Sequence, residues 1–450
     1  MTMTTPPSPT VVGQPPHSLP PLKRRERDAI IQSLGSGVVP RIGLQHIQVG
    51  RRQEVAAILK DVQAVQQGAS SFRFVIGTFG SGKTFFLHLA KMVALEQRFV
   101  VVHADLAPER RLSGSSGVAR SLYQELTRNC ATKAKPEGGA LASVIERWIA
   151  DAGLGDAPSV EDVRAKLRPL EELVAGHDFA AVIAHYIAGS TSGDEARKAN
   201  AVRWLRGEYG TKTEARQDLG VRSIIEDATF YDHLKLLGAF VRLAGFAGLM
   251  VVFDEAINLY KLAQAESRSR NYETILRMFN DCLQGGSSGM FMLMGGTPEF
   301  LRDQRRGLYS YGALRSRLPD NAFATDGRRD LNGPIIELPN LSPEDLVVLL
   351  QNLRRIHAFD RPPTAVMPDE GIQSFMEHCG QRLGDAFYRT PRDSVVSFIQ
   401  LLNLLEQNTG MDWREPLGKA VAAAAEATQA SVSKEASAPD GGDDLVSFKL

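Results

Sequence analysis

Four short apolar runs stand out along the chain, at 72–76, 99–103, 249–253 and 290–294. Each is rich in Phe, Val, Ile, Leu or Met with almost no polar interruption, and each gives way to glycine or to an acid. Runs of that length with those endings predict strands buried on both faces, the pattern of a parallel sheet. Around them the periodicity is helical. Residues 51–67 place Val55, Ile58, Leu59, Val62 and Val65 on one face, residues 84–95 continue the pattern directly after a glycine-rich loop, and 24–33 and 272–283 are also helical. From Leu106 to Phe246 a mostly helical stretch of roughly 140 residues separates the second run from the third, far longer than the usual link between neighbouring strands, so an inserted helical subdomain is expected. The last third is helical with readable starts: Ser342-Pro343-Glu344-Asp345 and Thr390-Pro391-Arg392-Asp393 each supply an N-cap hydroxyl, a proline at the first helical position and an early acid.

This pattern predicts an α/β fold with a parallel sheet core, a large helical insertion and a C-terminal helical lid. The expected boundaries are a disordered or irregular leader at 1–40, a core at 41–330 interrupted at about 106–246, a lid at 331–415 and a disordered tail at 416–450. The leader is Thr-, Pro- and Ser-rich without an apolar segment, and the tail turns from Ala-rich to Ser, Pro, Gly and Asp.

Composition narrows the function classes. Lys plus Arg and Asp plus Glu both number 52, so no global basic field steers the chain to nucleic acid. Cys130, Cys282 and Cys379 are far apart, with no CxxC and no histidine at metal-ligand spacing, which speaks against a disulfide framework or a zinc site and fits a reducing, cytoplasmic setting. No apolar run approaches the roughly 18 residues needed to span a bilayer.

The chemistry begins at the first strand's end. Gly77-Thr78-Phe79-Gly80-Ser81-Gly82-Lys83-Thr84 links strand to helix, the context in which backbone N–H groups wrap phosphate oxygens. Gly77, Thr78, Phe79, Gly80, Ser81, Gly82, Lys83, Thr84 and Phe85 are therefore expected around ATP, with Lys83 on the β and γ phosphates and the Thr84 hydroxyl on Mg²⁺. Asp254 closes the third strand, where ligands bind in open α/β sheets, and is expected to complete the metal site; Glu255 beside it is placed to polarise the attacking water. Thr297, after two glycines at the end of the fourth strand, is expected near the γ-phosphate. Arg315 and Arg317 are candidates for stabilising transition-state charge, and Arg392, a cation in the first turn of a helix, for meeting a bound phosphate. Two other strings read as non-functional. Gly285-Gly286-Ser287-Ser288-Gly289 satisfies GxSxG but precedes a strand, and Arg203, Arg206, Lys212 and Arg216 around Trp204 and Tyr209 are diluted by Glu208, Glu214 and Asp218.

In order along the chain, Val49-Gly50-Arg51-Arg52, the P-loop, Asp254-Glu255, Gly296-Thr297-Pro298, Arg315 with Arg317, and Pro391-Arg392 resemble the AAA+ and STAND series of adenine-side box, Walker A, Walker B, sensor 1, arginine finger and sensor 2. The resemblance implies a P-loop NTPase fold of the AAA+-like type, with Gly50 and Arg51 also contacting the nucleotide. Gly50-Arg51-Arg52-Gln53-Glu54, Ile76 to Thr84, Arg203-Trp204-Leu205-Arg206-Gly207-Glu208 and Phe253-Asp254-Glu255-Ala256 together resemble the BrxD family of ATP-binding proteins from bacterial BREX phage-defence systems, over roughly 42–405. That likeness implies a cytoplasmic ATPase, a motor or loader, working with methyltransferase, helicase or nuclease components of a defence system, touching DNA directly or through a partner, and forming an ATP-dependent homo-oligomer. The alternative is a STAND-like switch that oligomerises on binding ATP.

Overall fold

The structure is a computed structural model of the 450-residue chain and describes residues 21–154, 159–321, 329–383, 391–408 and 410–417. Of the irregular leader expected over 1–40 and the disordered tail expected over 416–450, residues 1–20 and 418–450 lie outside the described residues.

Five strands form one all-parallel sheet: β1 (Ser71–Ile76), β2 (Val100–Asp105), β3 (Leu249–Asp254), β4 (Met290–Gly296) and β5 (Ile335–Glu337), in spatial order β2-β3-β4-β1-β5. The first four are the runs read from the sequence. The fifth is additional and lies beyond Asp330, where the core was expected to end. Only three residues long and flanked by Pro334 and Pro339, β5 has no periodicity of its own. It is fixed by pairing with β1, where Phe74 N–H donates to Pro334 O (2.8 Å) and Leu338 N–H to Ile76 O (2.7 Å).

Alternation along the strands separates two apolar layers. Phe72, Phe74, Val102 and Phe253 face the inserted helices and the helix Ala265–Leu283, whereas Val75, Val101, Val252 and Leu293 face the helices Arg52–Gln66 and Lys83–Glu96. The insertion carries seven α-helices among the described residues, from Val118–Arg128 to Phe230–Leu243, and its core is continuous with the first of these layers. It is thus the cover of one sheet face. Trp204 and Tyr209 are buried within it: Trp204 Nε1 donates to Ser223 O (2.8 Å), Tyr209 Oη to Asp218 (2.8 Å), and Arg203 stacks on the Tyr209 ring while pairing with Glu214. These aromatics are core, so no base can stack on them.

A separate apolar cluster joins the C-terminal helices Pro343–Ala358 and Pro391–Gln407 to the N-terminal helix Arg24–Gly35, through Ile30, Leu346, Leu350, Phe398 and Leu402. Residues 24–35, inside the expected leader, are helical because packing against the far end of the chain buries Ile30 completely. No helix among the described residues is long and apolar enough to cross a membrane.

Candidate active site

In an all-parallel sheet every strand ends on the same edge, so the register alone gathers the chemistry. Ile76, which leads into the P-loop, pairs with Gly296, and Asp105 pairs with Asp254. Gly80 and Gly82 adopt left-handed conformations (φ 78° and 87°), which turn the loop back on itself before the helix Lys83–Glu96. A side chain at Gly77 would meet Ser81 Oγ at 2.3 Å and the Leu338 carbonyl at 3.3 Å, so the loop closes only with glycine there. Gly82 caps the helix without a side-chain hydrogen bond, leaving the first-turn N–H groups available to an anion.

Lys83 reaches back across the loop, its Nζ donating to Thr78 O (2.9 Å). Burial pushes its pKa down, against the pull of Asp254, Glu255 and Glu299. Thr84 Oγ1 donates to Asp254 Oδ2 (2.8 Å), and the Glu255 N–H donates to Asp254 Oδ1 (2.8 Å). Asp254 is 8% exposed, and burial holds its pKa above the usual carboxylate range, offset by those two hydrogen bonds and by Lys83. A hydroxyl and a desolvated carboxylate converging beside the P-loop are hard oxygen donors that suit Mg²⁺, whose charge would relieve the desolvation. Glu255 is exposed, in a left-handed conformation (φ 56°) rare for a non-glycine residue. Its pKa is raised by partial burial, then by Asp254, with Lys83 opposing.

The remaining expected residues divide. Thr297 sits beside the start of the P-loop, since Gly77 N–H donates to Gly296 O (3.2 Å), and its Oγ1 accepts from Phe300 N–H (3.3 Å) as the cap of the helix Pro298–Arg302. Gly50 and Arg51 are both left-handed. The Arg51 guanidinium donates to Ser81 O (3.1 Å) and to Pro339 O, tying the P-loop to the exit of β5 instead of pointing at phosphate. It also lies 3.8 Å from Glu54, a buried acid that Arg329 engages at 2.6 Å. Phe79 is 63% exposed and Phe85 packs against the C-terminal apolar cluster. Arg315 and Arg317 lie on the helix Gly312–Arg317, where Arg317 is held by Asn280 Oδ1 (2.9 Å) and Arg315 is exposed. Arg392 is not brought to the P-loop by any described contact: its Nε lies 2.9 Å from the position a Cβ would take on Gly37. Ser287 of the GxSxG string is buried and donates to Cys282 Sγ (3.3 Å).

Three features escaped the sequence reading. Asp105 ends β2 beside Asp254, its pKa raised by burial and then by that neighbour; the same acid-after-apolar-run signal that marks Asp254 was present there. Asn340, whose Oδ1 accepts from Thr78 Oγ1 (3.2 Å), carries no local signal. The third is a cleft of about 670 Å³, walled by Gln45 and residues 48–54 on one side and by Pro339, Asn340, Leu341, Asp345 and Val348 on the other, with Arg329 also in its lining. That volume suits a nucleoside-sized ligand.

With this geometry in hand, comparison with known families is decisive. The description "BREX system ATP-binding protein BrxC/D" belongs to a family whose sequence model matches residues 22–421. The chain belongs to the BrxC/D family. The match covers the sheet, the insertion and the described C-terminal helices, so this BrxC/D chain is a BREX system ATP-binding protein by family, and that membership points to other components of the system as partners. Comparison with curated proteins gave no match.

Proposed function

We propose that this BrxC/D protein hydrolyses ATP with Mg²⁺ and couples turnover to movement of its C-terminal helices, an AAA+-like arrangement in which residues 331–415 serve as a lid over the core. The observation that carries the reading is the convergence of Lys83, Thr84, Asp254 and Glu255 at one strand edge, with the Thr84–Asp254 contact at 2.8 Å. When bound, Mg²⁺ would be held by Thr84 and Asp254 and would neutralise charge on the β and γ phosphates. The P-loop N–H groups orient the phosphates, and Lys83, released from Thr78 O, follows the charge that builds on the departing phosphate. Glu255 takes the proton of the attacking water, and the burial and the neighbouring Asp254 that raise its pKa make it a stronger base than an ordinary carboxylate.

Coupling to the lid is supported by three contacts. Thr78 meets Asn340, Arg51 meets both Ser81 and Pro339, and Phe85 packs into the C-terminal cluster, so a P-loop that rearranges around nucleotide pulls on the segment leading to the lid. Arg315, exposed and with no described hydrogen bond from its guanidinium, is the better candidate of the two arginines for a neighbouring subunit's nucleotide in an ATP-dependent homo-oligomer. Arg392 would reach nucleotide only after a lid movement. In this reading the protein is a motor or loader acting on DNA, directly or through methyltransferase, helicase or nuclease components.

The test is steady-state ATP hydrolysis by wild type, Lys83→Ala and Glu255→Gln, each with and without double-stranded DNA. The reading requires turnover in wild type, loss of turnover in Lys83→Ala, binding without turnover in Glu255→Gln, and acceleration by DNA. Turnover indifferent to DNA would replace the motor with a nucleotide-gated switch of the STAND kind; absence of binding and turnover would end the nucleotide reading.

A further inference from the structure

We propose that Gln45 reads the base of the bound nucleotide, selecting a purine with an amino group at position 6, and that Glu26 fixes the orientation of the Gln45 amide that makes this possible. The inference rests on the nucleotide reading above and adds to it a determinant outside the P-loop and the acid pair. Gln45 lines the cleft of about 670 Å³, whose apolar walls at Val49, Leu341 and Val348 suit the faces of a ring, Val348 being 45% exposed. Gln45 Nε2 donates to Glu26 Oε1 (3.1 Å). A carboxylate oxygen accepts hydrogen bonds, so Nε2 turns toward Glu26 and commits one of its two N–H groups there, leaving Oε1 and the second N–H in a fixed order to meet a ligand. In that order the acceptor pairs with the amine of adenine and the remaining N–H with the ring nitrogen beside it, whereas the carbonyl oxygen that hypoxanthine or guanine carries at position 6 meets the acceptor and is repelled.

Glu26 is itself held in place. Its Oε2 accepts from the Lys23 N–H (3.0 Å) and lies 3.7 Å from His46 Nε2. The helix that bears it is pressed onto the Gln45 turn, because Gly43 (φ 79°) leaves no room for a side chain: a Cβ there would lie 2.7 Å from Ile30 Cδ1 and 3.3 Å from Glu26 Cβ. The N-terminal helix, far from the P-loop in sequence, thereby becomes a wall of base recognition.

The experiment measures the affinities of the full chain for ATP and for inosine triphosphate, which replaces the 6-amine with a carbonyl, by displacement of a fluorescent ATP analogue. Wild type should favour ATP by about tenfold or more, the scale of one hydrogen bond turned into a repulsive pair. Gln45→Met, similar in size but without the acceptor, should bring the ATP to inosine triphosphate ratio close to one. Glu26→Gln, which lets the Gln45 amide turn over, should lower the ratio while Gln45 stays in place. Because the readout is a ratio, a general loss of fold or of P-loop function does not imitate the expected result. Equal binding of both nucleotides by wild type, or an unchanged ratio in Gln45→Met, overturns the inference and leaves ATP binding intact. A ratio that collapses in Gln45→Met but holds in Glu26→Gln overturns the orienting role of Glu26 alone. If wild type binds neither nucleotide, the nucleotide reading fails and this inference with it.

Discussion

Gly295 offers a sharp test of how closely the acid site is packed. It lies on β4 next to Asp254, and a Cβ added there would sit 2.6 Å from Asp254 Oδ1 and 2.8 Å from Leu87 Cδ1. The Leu87 methyl is the end of a flexible side chain and can rotate away. The Asp254 carboxylate cannot do so freely, because Thr84 Oγ1 and the Glu255 N–H hold its two oxygens. Since ordinary contact begins at 3.4 Å, Gly295→Ala must displace the carboxylate by about 0.8 Å, or break one of those hydrogen bonds. A misplacement approaching 1 Å in a catalytic constellation lowers turnover on the order of tenfold to a hundredfold, about 1.4 to 2.7 kcal/mol in the barrier. The P-loop is untouched, so ATP affinity measured without Mg²⁺ should stay within about twofold of wild type, while overpacking costs on the order of 1–3 kcal/mol of stability. Gly210→Ala, where nothing lies within 4 Å of the new atom, is the control and should be neutral in both assays. The assay is steady-state hydrolysis across a Mg²⁺ titration, paired with urea unfolding. Wild-type turnover in a folded Gly295→Ala protein would refute the claim that Asp254 is held at its working position, and so would a loss of turnover matched by an equal loss of Mg²⁺-free ATP affinity.

Other consequences can be measured with less effort. Trp204→Ala should cost about 3–5 kcal/mol in urea unfolding, because it empties a fully enclosed site in the insertion and leaves the Ser223 carbonyl without its indole donor; a change below about 1 kcal/mol would mean that the insertion is not part of the sheet's core. Arg51→Met removes a guanidinium that bridges Ser81 and Pro339 and leaves Glu54 with Arg329; weaker ATP binding and a loss on the order of 2–3 kcal/mol in stability are expected, and isothermal titration together with denaturation would show whether the two losses occur together. Burial lowers the His103 pKa to about 3, with Lys91 and His88 adding to it. Unfolded His103 takes up its proton near pH 6.5 and the folded form does not, so its contribution to stability is complete above that pH and declines as pH falls toward 3. The slope is at most about 1.4 kcal/mol per pH unit, and His103→Gln should flatten the acid limb of a stability profile by that share.

Much of the site was readable locally. The P-loop is eight consecutive residues whose glycines specify their own turn, and Asp254 needs only the apolar run before it to be placed at a strand end. Such signals survive in sequence because both cause and consequence lie within one turn or one strand. Asp105 carried the same signal but no role, since nothing local says that β2 and β3 are neighbours across the inserted helices; only the sheet register sets the two acids side by side. The three residues of β5 are too few for periodicity, and exist as a strand because β1 has a free edge to pair with. The cleft is the extreme case. Its walls come from the segments 45–54 and 339–348, joined by the reach of Arg51 to Pro339, and its outer support from a helix that folds only against the other end of the chain. The sequence by itself determined the phosphate loop, the acid at the strand end and the parallel character of the sheet, because each follows from a short span's own conformational and apolar preferences. The tertiary structure alone decided which acids meet, which arginine is committed to carbonyls and where the cleft opens, because those depend on contacts between segments far apart in the sequence.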